Sequence, residues 1–397
     1  MKVIVQKYGG SSVATTDKIK FIANKIKQKG NEQKHIVVVS AMGKTTDQLI
    51  SLAKEISEKP IAREMDMLLT TGEQVSASLL SIALNEIGVI TISLNGYQAG
   101  ILTTADHMSV RILSIDKEKF NNLLNEYDAI VVTGFQGVTE DNEITTLGRG
   151  GSDTSAVALA AELGYNVEIY SDVDGIYTTD PRLHPNAKKL KYISYDEMLE
   201  LAGSGAKVLH SRSVEIAKKY NIKIYCAATF SNEEGSYVVN EELLIESPVV
   251  SGLSVMENQV QVSIKDLPLD YTIIHTIFEK ISNSGFNVDM ISVINYENSL
   301  AVSFTVIRDV KSEILEMLYE TLKEYESYNV EYHKDFVKVS IVGIGMKSAT
   351  GVATRFFNAL KDIPIRLVTT SEIKISALIE TKFKEQAVEA LVKEFNL

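Results

Sequence analysis

Val3-Ile4-Val5-Gln6-Lys7-Tyr8-Gly9-Gly10-Ser11 sets the architecture of the chain. Val3 to Val5 is a short apolar run that reads as a buried strand, and Gly9-Gly10 then turns the chain. Asp17 is placed to cap a helix that runs through Lys29 and stops at Gly30. A strand, a glycine turn and a helix form the repeating unit of a layered α/β sheet. The unit recurs outward from this stretch. Ile36 to Val39 is a second strand, with a second helix from Asp47. Ile130 to Val132, Val167 to Tyr170 and Ile222 to Cys226 continue the strand series, and a helix from Thr154 to Leu163 is stopped by Gly164.

The pattern changes near Ser231 to Ser247, where Asn, Glu, Gly and Ser concentrate, the mark of a junction. Beyond it the chain repeats itself: Val260-Gln-Val-Ser-Ile264 returns as Val337-Lys-Val-Ser-Ile341. Each copy precedes a helix with apolar residues three and four apart, first Ile273, Ile274, Ile277, Phe278 and Ile281, then Val352, Phe356, Phe357 and Leu360. Closing helices over Ile314 to Leu322 and Ala387 to Phe395 complete two ferredoxin-like βαββαβ units. The expected division is a first domain over 1–230, a linker over 231–250, one small α+β unit over 251–335 and another over 336–397. Units this small need a partner surface, within the chain or on a second copy.

Bulk properties narrow the function. The 397 residues carry a net charge of -12, which repels nucleic acid and anionic membrane alike. An anionic substrate therefore needs a local cluster of cations and backbone N–H groups. The single cysteine, Cys226, excludes an internal disulfide and a cysteine-built zinc site. No leader-like segment and no apolar run of about 20 residues stands out, and the expectation is a cytoplasmic protein.

Three loops after strands suit phosphate or carboxylate. Lys7-Tyr8-Gly9-Gly10-Ser11 offers exposed amides; Gly-Gly alone is more often a plain turn, but Lys7 adds a point charge at the carboxyl edge of the sheet, where ligands of α/β folds bind. Ser40-Ala-Met-Gly-Lys-Thr-Thr46 is not a P-loop, since the glycine required five positions before Gly43 is replaced by Val38; its hydroxyls still suit an anion at a helix start. Leu147-Gly-Arg-Gly-Gly-Ser-Asp153 sets a guanidinium among three glycines at a helix N-terminus. A capping role explains Asp153 but neither Arg149 nor the glycines. Glu73, in the apolar helix start Met65 to Val75, reads in isolation as an exposed or capping residue. Ser171-Asp-Val-Asp-Gly-Ile-Tyr177 with Asp180-Pro-Arg182 is an acidic strand exit or a turn at Asp174-Gly175. Gly205-Ala-Lys207, followed by His210 and Arg212, is either functional or a solvated basic helix end. No hydrolase triad spacing and no protein-kinase motif set is present.

Taken together, these segments resemble the aspartate kinases of the amino acid kinase superfamily. The likeness rests on Val5-Gln-Lys-Tyr-Gly-Gly-Ser-Ser-Val13, Val38-Val-Ser-Ala-Met-Gly43, Leu68-Leu-Thr-Thr-Gly-Glu-Gln-Val75, Gly134-Phe-Gln-Gly137, Thr145-Thr-Leu-Gly-Arg-Gly-Gly-Ser-Asp153, Asp172 to Arg182 and Gly205-Ala-Lys-Val-Leu-His210, and the repeat is similar to paired ACT domains. The resemblance implies ATP and Mg²⁺ as cofactors, L-aspartate as acceptor, and a homodimer or larger assembly formed through the ACT units. It implies Lys7, Asp153 and Glu73 as catalytic residues, with Thr46, Glu73, Arg149, Gly150, Gly151 and Ser152 on the amino acid. Lys7, Tyr8, Gly9, Gly10, Ser40, Ser171, Asp172, Tyr177, Asp180, Arg182 and Lys207 would hold the nucleotide. No metal ligands are assigned. An amino-acid effector would meet Asp266, Asn287, Asp289, Ser348, Thr370, Ser371 and Glu372. The chain departs from the family pattern at Ser211, Ala227, Asp266-Leu-Pro-Leu269, Val293-Ile294 and Ala349-Thr-Gly351, mostly in the regulatory loops. Kinases of glutamate, acetylglutamate or carbamate, and a non-catalytic amino-acid sensor, are the competing readings.

Overall fold

The computed structural model describes residues 2–30, 33–244, 248–325 and 327–397. It separates into two compact units. The first comprises 1–177, 189–202 and 207–246, and the second 178–188, 203–206 and 247–397.

In the first unit the opening strand, Lys2–Tyr8, lies at the centre of an eight-stranded sheet, paired in parallel with Gln33–Val39 on one side and Val167–Ser171 on the other. Both partners bury their β-branched residues, Ile36 to Val39 in one and Val167 and Ile169 in the other, as a strand covered on two faces requires. One face packs Ile19, Ile22 and Ile26 of the helix Thr16–Lys29 and Leu80 and Leu84 of the helix Thr71–Glu86 against Tyr8, Val37 and Val39. The helix Gly151–Leu163 contributes Ala156, Val157, Leu159 and Ala160, which are fully buried. The stretch Ala62–Glu86 is long and apolar enough to cross a membrane by composition, but half of it is buried in this unit and it is a core element.

Two expectations change here. The first helix is capped by Thr15, whose hydroxyl accepts the Lys18 N–H, and Asp17 sits inside its first turn. The linker expected over 231–250 holds a strand, Ser236–Val239, paired with Ile224–Ala228 and Tyr192–Ser194 in the main sheet. Its composition is turn-like on either side, which hid a strand of only four residues. Ile245, Glu246 and Ser247 of that linker lie outside the described residues.

The second unit contains one six-stranded sheet built from both repeats, ordered Asp289–Asn295, Leu300–Ile307, Gly252–Leu267, Asn329–Val342, Lys374–Glu380, Ile365–Thr370. The two central strands are long and serve both halves. Gly252 to Met256 pair with Val342 to Lys338, whereas Gln261 to Lys265 pair with His333 to Asn329. Val250 and Leu253 accordingly pack in the core of the second repeat, with Phe356, Leu391 and Phe395. A cut at 251 and 336 is thus corrected: the first repeat is inserted into the second, and 250–256 belong to the later half. The register slips between Met256 and Gln259, where Asn258 has a positive φ of 58°, and this bulge marks where the strand passes from one half to the other while keeping the same antiparallel neighbour, which a period-two pattern cannot reveal.

Candidate active site

Lys7 ends the central strand, and its side chain turns into a cavity of about 480 Å³ at the sheet's carboxyl edge. That cavity gathers Lys7, Gly10, Ser40, Thr46, Glu73, Arg149, Gly150, Gly151, Ser152 and Asp153, residues spread over nearly 150 positions of sequence. The Lys7 ammonium stands 2.7 Å from the Asp153 carboxylate, and both side chains are almost buried. Asp153 makes no capping bond. The cap of its helix is Gly150, in the left-handed region at φ 68°, so the ion pair and not helix termination accounts for the acid. The helix itself begins at Gly151, three residues before the Thr154 expected from sequence.

Close approach explains the glycines. A Cβ on Gly10 would stand 2.8 Å from the Ala41 carbonyl oxygen, and the Gly43 N–H donates to the Gly10 carbonyl at 3.0 Å. The two anion loops are thereby sewn together with bare backbone facing the cavity. A Cβ on Gly150 would collide with the His210 ring at 2.3 Å, which gives His210 of the basic segment a packing role under the Arg149 loop.

Glu73 departs from its sequence reading. It is neither exposed nor a cap: only 3% of it is accessible. Oε1 accepts the Ala41 N–H at 3.1 Å, while Oε2 is buried with no hydrogen-bond partner. Burial pushes its pKa up from 4.5 to about 7, against the lowering effect of the Ala41 amide. A buried carboxylate oxygen lining a cavity without a partner is a receptor for a cation. Arg149, on the same cavity, forms no ion pair among the described residues and offers its guanidinium to a carboxylate.

The remaining assignments divide. Tyr8 is corrected: its ring stacks on Tyr170 at 5.1 Å and its hydroxyl is buried, so only its backbone could face a ligand. The Gly9 N–H is spent on the Tyr170 carbonyl at 3.0 Å. Ser171 ends the strand beside that of Lys7, and its hydroxyl accepts the Val173 N–H. The Tyr177 hydroxyl donates to Asp174, which also holds the Lys189 ammonium at 2.7 Å. Ser171, Asp172, Tyr177 and Lys207 belong to the first unit but do not line the cavity, and Asp180 and Arg182, chelated to each other at 2.6 Å, fall in the second unit. Sequence reading missed Asp47, Ile50, Leu69, Met108 and Phe135 in the cavity wall. Phe135 was within a quoted motif; Met108 carried no signal.

Among the effector assignments, Asp289 is already engaged by the fully buried Lys338 ammonium. Asp266 sits at a positive φ of 57° near the end of its strand, beyond the Ile264 pairing. Ser348 donates to the Gly345 carbonyl, and the Ser371 N–H closes the hairpin turn onto Lys374. Asn287 precedes the strand from Asp289; Thr370 ends the strand before that hairpin turn, and Glu372 lies within it. No group of three or more His, Cys, Asp or Glu suited to a metal occurs among the described residues.

Comparison with known proteins agrees with this geometry. Residues 2–228 match the amino acid kinase family and 339–395 match an ACT domain. The chain is 47% identical to an aspartokinase of Geobacillus stearothermophilus and 46% identical to aspartokinase 2 of Bacillus subtilis, each over all of this chain and 98% of the relative. Its fold is similar to that of Escherichia coli aspartokinase III in complex with aspartate and ADP, with a TM-score of 0.83 over the whole of both chains at 23% identity.

Proposed function

We propose, from the premise that this chain belongs to the amino acid kinase family and within it to the aspartokinases, that the cavity between Lys7 and Arg149 is the seat of its reaction. The chain is an ATP-dependent kinase that phosphorylates the side-chain carboxylate of L-aspartate, giving 4-phospho-L-aspartate and ADP, the first step toward lysine, threonine, methionine and diaminopimelate. Its ACT portion is regulatory.

The carrying observation is one cavity lined by both signs of charge. Its wall carries the Lys7–Asp153 pair and the bare backbone of Gly10, and with them Arg149 and Glu73, whose Oε2 has no partner. Aspartate is a zwitterion with an extra carboxylate. Arg149 takes the α-carboxylate, Glu73 the α-ammonium, and Thr46 and Ser152 add hydroxyls. The side-chain carboxylate is then left facing Lys7. With a solution pKa near about 4, that acceptor is already ionised at neutral pH and needs no general base. The site's task is positioning and neutralising negative charge as the phosphoryl group crosses, and Lys7, fixed by Asp153, is the group that does it.

Ser171, Asp172, Tyr177 and Lys207, all of the first unit, serve the nucleotide in this reading. Support comes from Ser171, which closes the strand adjacent to that of Lys7 at the same sheet edge. Mg²⁺ would be held mainly by the nucleotide's phosphate oxygens, which suit a hard cation, and would supply positive charge to offset theirs.

Arg149→Ala tests the amino-acid end. The KM for aspartate should rise about 30-fold, the worth of a forked charge-assisted pair of roughly 2 kcal/mol, with the KM for ATP little changed. Steady-state kinetics showing an unaltered aspartate KM would place the amino acid elsewhere.

We propose further that the ACT portion holds an amino-acid effector and pairs with a second copy. The edge strand Asp289–Asn295 exposes Ile291, Val293 and Ile294, apolar side chains beside unpaired backbone groups. Light scattering should report a dimer or larger assembly; only the 43.8 kDa monomer at working concentration would contradict this.

A further inference from the structure

We propose that Asp66 is a positioning residue for the aspartate end of the cavity, fixing the bite between Met108 and Arg149 without touching substrate. The inference rests on the reading of that cavity given above.

Asp66 lies in the helix Ala62–Leu69 and is wholly inaccessible. A buried carboxylate is tolerated only when its oxygens are bonded, and here the donors among the described residues come from two short stretches. Thr146 Oγ1 donates to Oδ1 at 2.5 Å. The Met108 N–H reaches both oxygens at 3.2 Å. His107 presents Nδ1 2.7 Å from Oδ2, and since an ionised carboxylate only accepts, that nitrogen carries the proton. The carboxylate therefore staples the loop between Ile101–Thr103 and Ile112–Ile115 to the strand Ile144–Thr146, which leads directly into Leu147 to Asp153.

The staple holds a conformation the loop would not choose alone. Met108 has φ 70°, a positive value that a residue with a Cβ adopts only when its surroundings hold it there. In that position Met108 lines the cavity with Arg149, and its carbonyl oxygen lies 3.0 Å from where a Cβ on Gly148 would stand. Arg212 braces the same two stretches from their other ends, donating to the Leu147 carbonyl at 3.0 Å and the Val110 carbonyl at 2.7 Å. The Val110 N–H closes the ring onto the Thr146 carbonyl at 3.1 Å. Arg149 projects from a loop clamped at both sides, so the amino-acid pocket is set before substrate arrives.

The consequence separates the two substrates. Asp66→Asn keeps the shape but replaces one acceptor oxygen with a donor facing other donors. It should raise the KM for aspartate about tenfold or more, with the KM for ATP within about twofold. Thr146→Val, which deletes a single donor, should raise the aspartate KM about threefold and leave ATP alone. An aspartate KM within about twofold of the parent in both variants, or an ATP KM rising in step with it, would overturn the assignment. If Asp66→Asn loses its cooperative melt, Thr146→Val decides by the same criterion. Arg149→Ala is measured alongside. If it raises the aspartate KM while both staple variants do not, only this inference fails. If it too has no effect, the reading of the cavity fails with it.

Discussion

Lys7→Ala should lower kcat at least about 100-fold, measured at a temperature where the variant is still fully folded. The chemical step moves a phosphoryl group between two anions, and in this cavity the Lys7 ammonium is the cation held at the sheet edge, 2.7 Å from Asp153. Removing it leaves the backbone amides as the nearest remaining donors and strands the Asp153 carboxylate in an almost buried position. Single-turnover measurements isolate the chemical step from product release. A Lys7→Ala enzyme with near-parental single-turnover rates would mean that charge on the phosphoryl group is neutralised elsewhere, and the catalytic assignment would fall. Asp153→Asn should be milder, about tenfold, because it loosens the lysine without removing it.

Why the catalytic half was legible and the regulatory half less so follows from the physics of each. Gly10 and Gly150 carry contacts in which a side chain would overlap backbone or a ring, so their sequence neighbourhood marks the loops directly. The stretches 36–39 and 129–132 are buried on both faces and read as unbroken apolar runs. Taken in isolation, without the family resemblance, Glu73 reads as exposed because its local sequence is that of a helix start, which it is; the Ala41 N–H that meets it comes from 32 positions away. Asp66 and Met108 gave no signal for the same reason, their partners being 42 residues apart. The inserted repeat was hidden because Gly252–Leu267 is one continuous strand whose first residues pack in one core and whose later residues pack in the other, with only a bulge between them. Tertiary pairing, not local propensity, decided each case.

Glu73 ties stability to substrate binding through one proton. Its carboxyl titrates near 4.5 in an open chain and at about 7 in the folded enzyme, because burial disfavours the charge. The folded state therefore binds the proton more tightly, and stability attached to it is complete below about pH 4.5 and lost as pH rises through about 7. A shift of this size amounts to about 3 kcal/mol. Glu73→Gln is neutral at every pH, can still accept the Ala41 N–H through Oε1, and escapes that loss. The variant should match the parent near about pH 4 and be more stable by about 3 kcal/mol near about pH 8, read from urea midpoints. Its activity should move the other way. An amide nitrogen presented to the substrate ammonium is repulsive where the carboxylate was attractive, so kcat/KM for aspartate should drop about 100-fold or more. In the parent enzyme aspartate binds the ionised form, so its affinity, measured without nucleotide, should fall about tenfold for each unit of pH below about 7, with a proton released on binding; Glu73→Gln should abolish that slope. A parent affinity flat between about pH 6 and 8 would show that Glu73 is not the ammonium's partner. A variant destabilised at high pH would show that the unpartnered oxygen is solvated in the free enzyme, and that its burial does not oppose ionisation.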